Sequence, residues 1–305
     1  MCGRAEGTIR KYETDYERFF KGYPIERMNI QNITEEIMLE HLNVLLDTKQ
    51  IPYKTLISIW GYVKGVYKKS ARDKVISRDD NFCDDIDIEM LKSKCVEKDN
   101  KSAVQRTLSV DERKQLLDNL SRDCCNVNWV ANMAVELALY TGMRVGELAG
   151  LKWEDVDFDK RIITIRHQEV YRPKSKEYVI SDTKNHKVRW FPITDEIEDV
   201  LKRVKRYELE QGWVTEFVFS DYDGRMHKFR IADCAKNKTR FESSTKSIHA
   251  LRRTLNSNLK SNGVSTTVAS ALLGHTERVN DSNYTYDVLS ASEKISYISK
   301  ATRVI

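Results

Sequence analysis

Proline is scarce, at 4 of 305 residues, and glycine reaches only 12, so the chain holds no low-complexity tract and no collagen-like repeat. No apolar run approaches the roughly 20 residues that span a bilayer. The opening residues, MCGRAEGTIRKYETD, lack the apolar core of a signal peptide. The six cysteines form no CxxC pair and have no histidine at zinc-finger spacing, which predicts structural thiols in a reducing compartment. No carboxylate cluster suggests a metal site. These absences predict an intracellular, soluble protein, and a separate arm-binding domain is not expected within the residues before position 8.

What is present is a globular composition, 40% apolar and 32% charged, over a length that suits two domains. Residues 1–100 carry 17 basic against 18 acidic residues, whereas 101–305 carry 34 against 28. An excess this mild leaves any polyanion partner to local patches. The run KKSARDKVISRDDNFCDDID, then KCVEKDNKSAVQ, reads as charged and exposed connecting sequence and places a domain boundary near residue 100.

Before that boundary the periodicity is helical. Ile9, Tyr12, Tyr16 and Phe19 recur behind Thr8 as an N-cap, and Thr34-Glu35-Glu36 opens a second helix with Met38, Leu42 and Leu45 on one face. A third helix, from about Tyr53 to Ser70, turns Leu56, Ile59, Trp60, Val63, Val66 and Tyr67 inward. Its opposite face carries Lys54, Ser58, Gly61, Lys64 and Lys68, either a solvated stripe or a phosphate-contacting one.

After the boundary, Ser109-Val-Asp-Glu112 is a capping-box signature, and a long helix from about Val127 stops at Gly142. RIITI, EYVIS and RWFPI predict a small antiparallel sheet, and EFVFS a further extended segment among helices. The fold class is therefore mainly α with a small antiparallel sheet: a helical domain over 1–100, then a mixed α+β domain over 101–305.

Three places could hold chemistry. Arg144 follows a helix-ending glycine, opens a new helix and has Glu147 one turn on, which suits an anion site or plain structural support. His249 and Arg252 share a helix face, either as surface charge beside a satisfied histidine or as a pair that can reach one anion. Gly274 reads as a helix C-cap with His275 at the turn, and Tyr284 lies nine residues further, in an Asn, Asp, Ser and Thr-rich segment.

In combination, ALYTGMRVGEL, the hairpin TKNHKVRWFP, HALR and LLGH with its later tyrosine resemble the tyrosine recombinase, or phage integrase, family across the whole second domain. The first domain resembles that family's core-type, SAM-like DNA-binding domain. The resemblance puts the catalytic set on Arg144, Lys184, His249, Arg252, His275 and Tyr284, with Glu147 buttressing Arg144. Within the first domain, the basic stripe of the third helix makes Lys54, Lys64 and Lys68 the expected DNA contacts. Two positions depart from the family pattern. Tyr286 stands where a histidine is common, which makes it a rival nucleophile, and the hairpin offers Lys187 as a second candidate acid beside Lys184.

The resemblance implies site-specific cleavage and rejoining of DNA through a 3′-phosphotyrosyl intermediate, without metal, ATP or cofactor. It implies an integrase of a phage or conjugative transposon, with chromosome-dimer resolution as the alternative. The expected partners are double-stranded DNA at recombination sites, a homo-tetramer on that DNA, and accessory directionality or DNA-bending proteins, in the cytoplasm at the nucleoid. A short amphipathic tail, 287–305, is expected to pack on its own domain or on a neighbouring subunit. A type IB topoisomerase would share the phosphotyrosine step. A non-enzymatic DNA-binding protein would have no need of the catalytic set, and a metal-dependent nuclease would respond to chelators.

Overall fold

The computed structural model describes residues 6–79, 81–97, 103–122, 128–173, 175–183, 188–242 and 244–277. The chain divides into two compact units, Met1–Asn100 and Lys101–Ile305. Among the described residues, no helix is long and apolar enough to cross a membrane.

The first unit is built on α1 (Glu6–Phe19), α2 (Glu35–Lys49) and α3 (Tyr53–Arg72). Thr34 caps α2 by accepting the Ile37 amide at 3.4 Å, and Pro52 precedes α3. Phe19, Leu42, Leu45, Leu56, Ile59 and Val63 meet in one core. The expected Thr8 cap gives way to a helix that already includes Glu6, so Thr8 lies inside α1. Val66 faces solvent at 54% exposure, since the inward arc of α3 is filled by Val63 and Tyr67. The charged segment after α3 is not a connector throughout: Ile76, Cys83, Ile86 and Leu91 are buried in the same core.

The second unit opens with α4 (Ala103–Arg106) and α5 (Val110–Ser121), the latter held by the Ser109–Glu112 capping box. α6 (Trp129–Thr141) is buried on almost every side, and α7 (Val145–Ala149) follows the turn at Gly142. β1 (Val156–Asp157), β2 (Ile162–Ile165) and β5 (Arg189–Pro192) form an antiparallel sheet in the order β1-β2-β5. Between β2 and β5, β3 (His167–Arg172) and β4 (Glu177–Asp182) make a separate hairpin. Then come α8 (Asp195–Glu210), β6 (Ser220–Asp221) paired with β7 (Gly224–Arg225), α9 (Lys228–Lys238), α10 (Ile248–Ser261) and α11 (Thr266–Leu273).

α6 packs against α8, α9 and α10, which is why its sequence is apolar all round rather than striped. The expected EFVFS strand contributes Ser220 to β6, bridges to Lys152 at Phe217, and accepts the Met226 amide on the Phe219 carbonyl at 2.9 Å. The charged strand HQEVYR was not expected. Its Glu169 side chain is buried and accepts from Arg225 Nη2 at 2.9 Å, His227 Nδ1 at 2.7 Å and the Lys228 amide at 2.9 Å, tying the hairpin to the start of α9. Upstream of α5, the Leu108 amide donates to Thr254 Oγ1 at 2.7 Å and the buried Lys246 Nζ to Glu112 Oε2 at 2.8 Å. The entry to the unit is thereby fixed to α10 and to the chain just before it.

Candidate active site and candidate DNA-contacting groove

Two left-handed glycines frame the site. Gly142 (φ 61°) ends α6 and Gly274 (φ 64°) ends α11, each where a side chain would be strained. A Cβ on Gly142 would meet Leu273 Cδ2 at 2.9 Å, so the two helix ends touch.

Arg252, on α10, lies between them and is 1% exposed. Its Nη1 donates to the Gly142 carbonyl at 2.7 Å and its Nη2 to the Leu273 carbonyl. Nε and Nη2 reach His275 Nε2 at 3.1 and 2.7 Å. A guanidinium only donates, so Nε2 accepts and the hydrogen of the neutral ring belongs on Nδ1. The sequence reading gave Arg252 to substrate; much of its donor capacity here closes the two turns.

Arg144 is the N-cap of α7, one-third exposed on its side chain. It donates from Nη1 to Glu147 Oε1 at 2.7 Å and from Nη2 to the Gly274 carbonyl at 3.1 Å. Glu147, 2% exposed, also accepts the Arg144 amide at 2.8 Å. Burial alone would raise its pKa, but the bonds and charge of Arg189, with the charges of Arg144 and Arg252, hold it at about 2.

His249 stands on α10 one turn before Arg252. Burial, then the charges of Arg253, Arg252 and Arg144, pushes its pKa down to about 4. His275 is pushed to about 3 by burial and by Arg252, Arg144, His249 and Arg189 in turn. Both rings are therefore neutral at pH 7, His275 with its Nε2 accepting from Arg252.

The structure thus brings Arg144, Glu147, His249, Arg252 and His275 together. Lys184, Lys187, Tyr284, Tyr286 and the tail 287–305 lie outside the described residues. One residue was missed by the sequence reading: Arg189, on β5, which grips Glu147 through Nη1 at 3.0 Å and Nη2 at 2.6 Å. The signal was available in strand alternation. Arg189 and Phe191 share the inward face while Trp190 and Pro192 face out, and an inward arginine requires a buried acid.

In the first unit, a groove of about 1630 Å³ is lined by Lys64, Lys68, Lys69, Arg72, Lys74 and Arg78, among others. Asp84, also on its wall, sits 3.4 Å from Lys64 Nζ with both side chains well exposed. Lys54 is exposed in the first turn of α3, outside this wall and about 15 Å along the axis from Lys64.

The second unit thus gathers guanidiniums and neutral imidazoles around two helix ends, the residue types that could hold an anionic group. The sequence model of the phage integrase family matches residues 106–288, and the chain belongs to that family. It is 27% identical over 179 residues to the transposase from transposon Tn916 of Enterococcus faecalis, covering 52% of this chain and 43% of that protein. The chain therefore matches less than half the length of that relative. A tyrosine recombinase XerC-like protein of Caldanaerobacter subterraneus subsp. tengcongensis is 23% identical over 293 residues, 89% of this chain and 72% of that one. Among solved structures, the Tn1549 transposon integrase in complex with a circular intermediate DNA shares the fold, with a TM-score of 0.75 at 18% identity over 98% of this chain and 95% of that one.

Proposed function

We propose that this chain is a site-specific tyrosine recombinase that integrates and excises a mobile element. The observation that carries the reading is the convergence of Arg144, His249, Arg252 and His275, in the family's motif order, on two touching helix ends. The transposon-borne relatives support a mobile-element integrase over chromosome-dimer resolution.

In this reading the Tyr284 phenol oxygen attacks a DNA phosphorus. The new P–O bond joins the 3′-phosphate to Tyr284 as the bond to the 5′ oxygen breaks. His249, neutral at pH 7, accepts the phenol proton. Lys184, or Lys187, donates a proton to the departing 5′ oxygen. Arg144 offsets the charge that grows on the non-bridging oxygens, with Arg252 and His275 beside it. Bond energy is retained in the phosphotyrosyl ester, so rejoining to another 5′ hydroxyl requires no ATP. The groove of the first unit would clamp the duplex by its phosphates, with Lys54 extending the contact. The working form would be a tetramer on paired sites, helped by accessory DNA-bending or directionality proteins and located at the nucleoid.

The test is a nicked duplex built on a sequence the protein selects from a random pool, incubated in excess EDTA. A covalent adduct should form, vanish in Tyr284→Phe and persist in Tyr286→Phe. A strict requirement for a divalent ion, or loss of the adduct in Tyr286→Phe alone, would overturn the assignment.

A further inference from the structure

Arg144 is held at two points, Glu147 Oε1 through Nη1 and the Gly274 carbonyl through Nη2. Arg189 holds Glu147 directly and the turn that carries Gly274 through a neighbouring carbonyl. Its fork occupies both Glu147 oxygens, and its Nε donates to the Leu272 carbonyl at 3.0 Å, two residues before Gly274. It also packs against Gly274 so closely that a Cβ there would lie 3.0 Å from Nη1 and 3.1 Å from Cδ.

The side chain of Arg189 is 9% exposed and its fork is committed to Glu147, so it is placed to orient other groups rather than to meet substrate. Four donors saturate Glu147: the Arg144 amide and Nη1, and the two Arg189 nitrogens. Without Arg189, the buried carboxylate would keep Arg144 as its only guanidinium hydrogen-bond partner, with Arg252 contributing charge alone. It would then draw the Arg144 guanidinium inward, away from an approaching phosphate.

We propose that Arg189 is a positioning residue for strand cleavage, fixing both anchors of Arg144 so that its outward donors face the phosphate. The inference rests on the recombinase reading and extends it to a residue outside the expected catalytic set. Lysine would not replace arginine here, because a point charge cannot occupy both Glu147 oxygens and the Leu272 carbonyl in one plane.

The experiment measures single-turnover adduct formation and DNA affinity separately, on the selected nicked duplex, for wild type, Arg189→Ala, Arg189→Lys, Gly274→Ala and Tyr284→Phe. Arg189→Ala should slow adduct formation by roughly 100-fold, the order that a misplacement of about 1 Å costs, with affinity within about threefold of wild type. Arg189→Lys should leave most of that defect. Gly274→Ala, which crowds the guanidinium, should reproduce it and add little when combined with Arg189→Ala. Should Arg189→Ala fail to fold, Arg189→Lys and Gly274→Ala decide by the same two readouts. A wild-type rate in Arg189→Lys, or a rate that falls only in step with affinity or folded fraction, overturns the inference. In that case the wild-type adduct, absent in Tyr284→Phe, still supports the recombinase reading. Absence of any wild-type adduct would overturn that reading and this one together.

Discussion

Glu147 is one carboxylate among three guanidiniums, and the acid stability of the second unit should reflect it. Its pKa lies near 2 in the fold against an ordinary 4.5, so the folded state favours the charged form. The stabilisation it supplies is complete above pH 4.5 and is lost as the pH falls through 2. His249 and His275 act in the same direction. Their pKa values, about 4 and 3 against 6.5, mean that the unfolded chain takes up protons first, so stability declines as the pH drops below 6.5. Chemical denaturation should give a shallower loss between pH 5 and 3 for Glu147→Gln than for wild type; equal losses would mean that the network carries no charge-dependent stability. Glu147→Ala, which strands two guanidiniums, should cost about 3–5 kcal/mol at pH 7 by the same measurement. Among these residues, glycine caps and three-residue spacing made Arg144, Glu147, His249, Arg252 and His275 candidates in the sequence, and only the family resemblance joined them into one set. Arg189 was not, because it follows two more conspicuous lysines in the hairpin, and only the alternation of a four-residue strand turns it inward.

The helix ends were the most legible elements. Thr34, Ser109, Gly142 and Gly274 each perform the capping their residue types imply. The hairpin β3–β4 was only half legible, since Glu169 sits at its most buried position and its partners lie in β7 and α9, more than fifty residues away. Local pattern cannot report a partner that distant. Likewise the charged run after α3 reads as linker, although it inserts Ile76, Cys83, Ile86 and Leu91 at irregular spacing into the first core. Glycines separate elements that approach closely from those that do not. In α7, a Cβ on Gly146 would lie 2.9 Å from the Glu169 carbonyl oxygen, and at the α7 C-cap a Cβ on Gly150 would lie 2.9 Å from Gln168 Cα. Neither backbone neighbour can step aside cheaply. Gly150→Ala should therefore destabilise the protein by roughly 1–3 kcal/mol. Gly65, in α3, has nothing within 4 Å of the added carbon, and Gly65→Ala should stabilise by about 0.5–1 kcal/mol through helix propensity alone. Urea midpoints of the two variants check the contrast, and the same sign for both would contradict the packing of α7 on β3.

At the scale of the molecule, the two units divide the labour proposed for them, with polyanion binding in the first and bond exchange in the second. The nearly balanced charge of residues 1–100 gives no hint of the basic groove, because Lys64, Lys68, Lys69, Arg72, Lys74 and Arg78 line it beside a single acid among the described residues, Asp84. The double variant Lys64→Ala, Lys68→Ala should flatten the slope of log affinity against log salt by about two units, at roughly 0.9 for each phosphate left without its lysine. Its adduct rate at saturating protein should match wild type. An unchanged slope in a salt titration would place the DNA clamp on another face of the first unit.

The nucleophile decides whether all of this belongs to one reaction. The adduct formed on the nicked duplex in excess chelator can be digested with protease and nuclease, and the peptide bearing the nucleotide sequenced by mass spectrometry. A 3′-phosphoryl group on Tyr284 is the expected result. The same group on Tyr286 would contradict Tyr284 as the nucleophile, and on a serine, or on no residue at all, it would contradict a tyrosine recombinase built around Arg144, His249, Arg252 and His275.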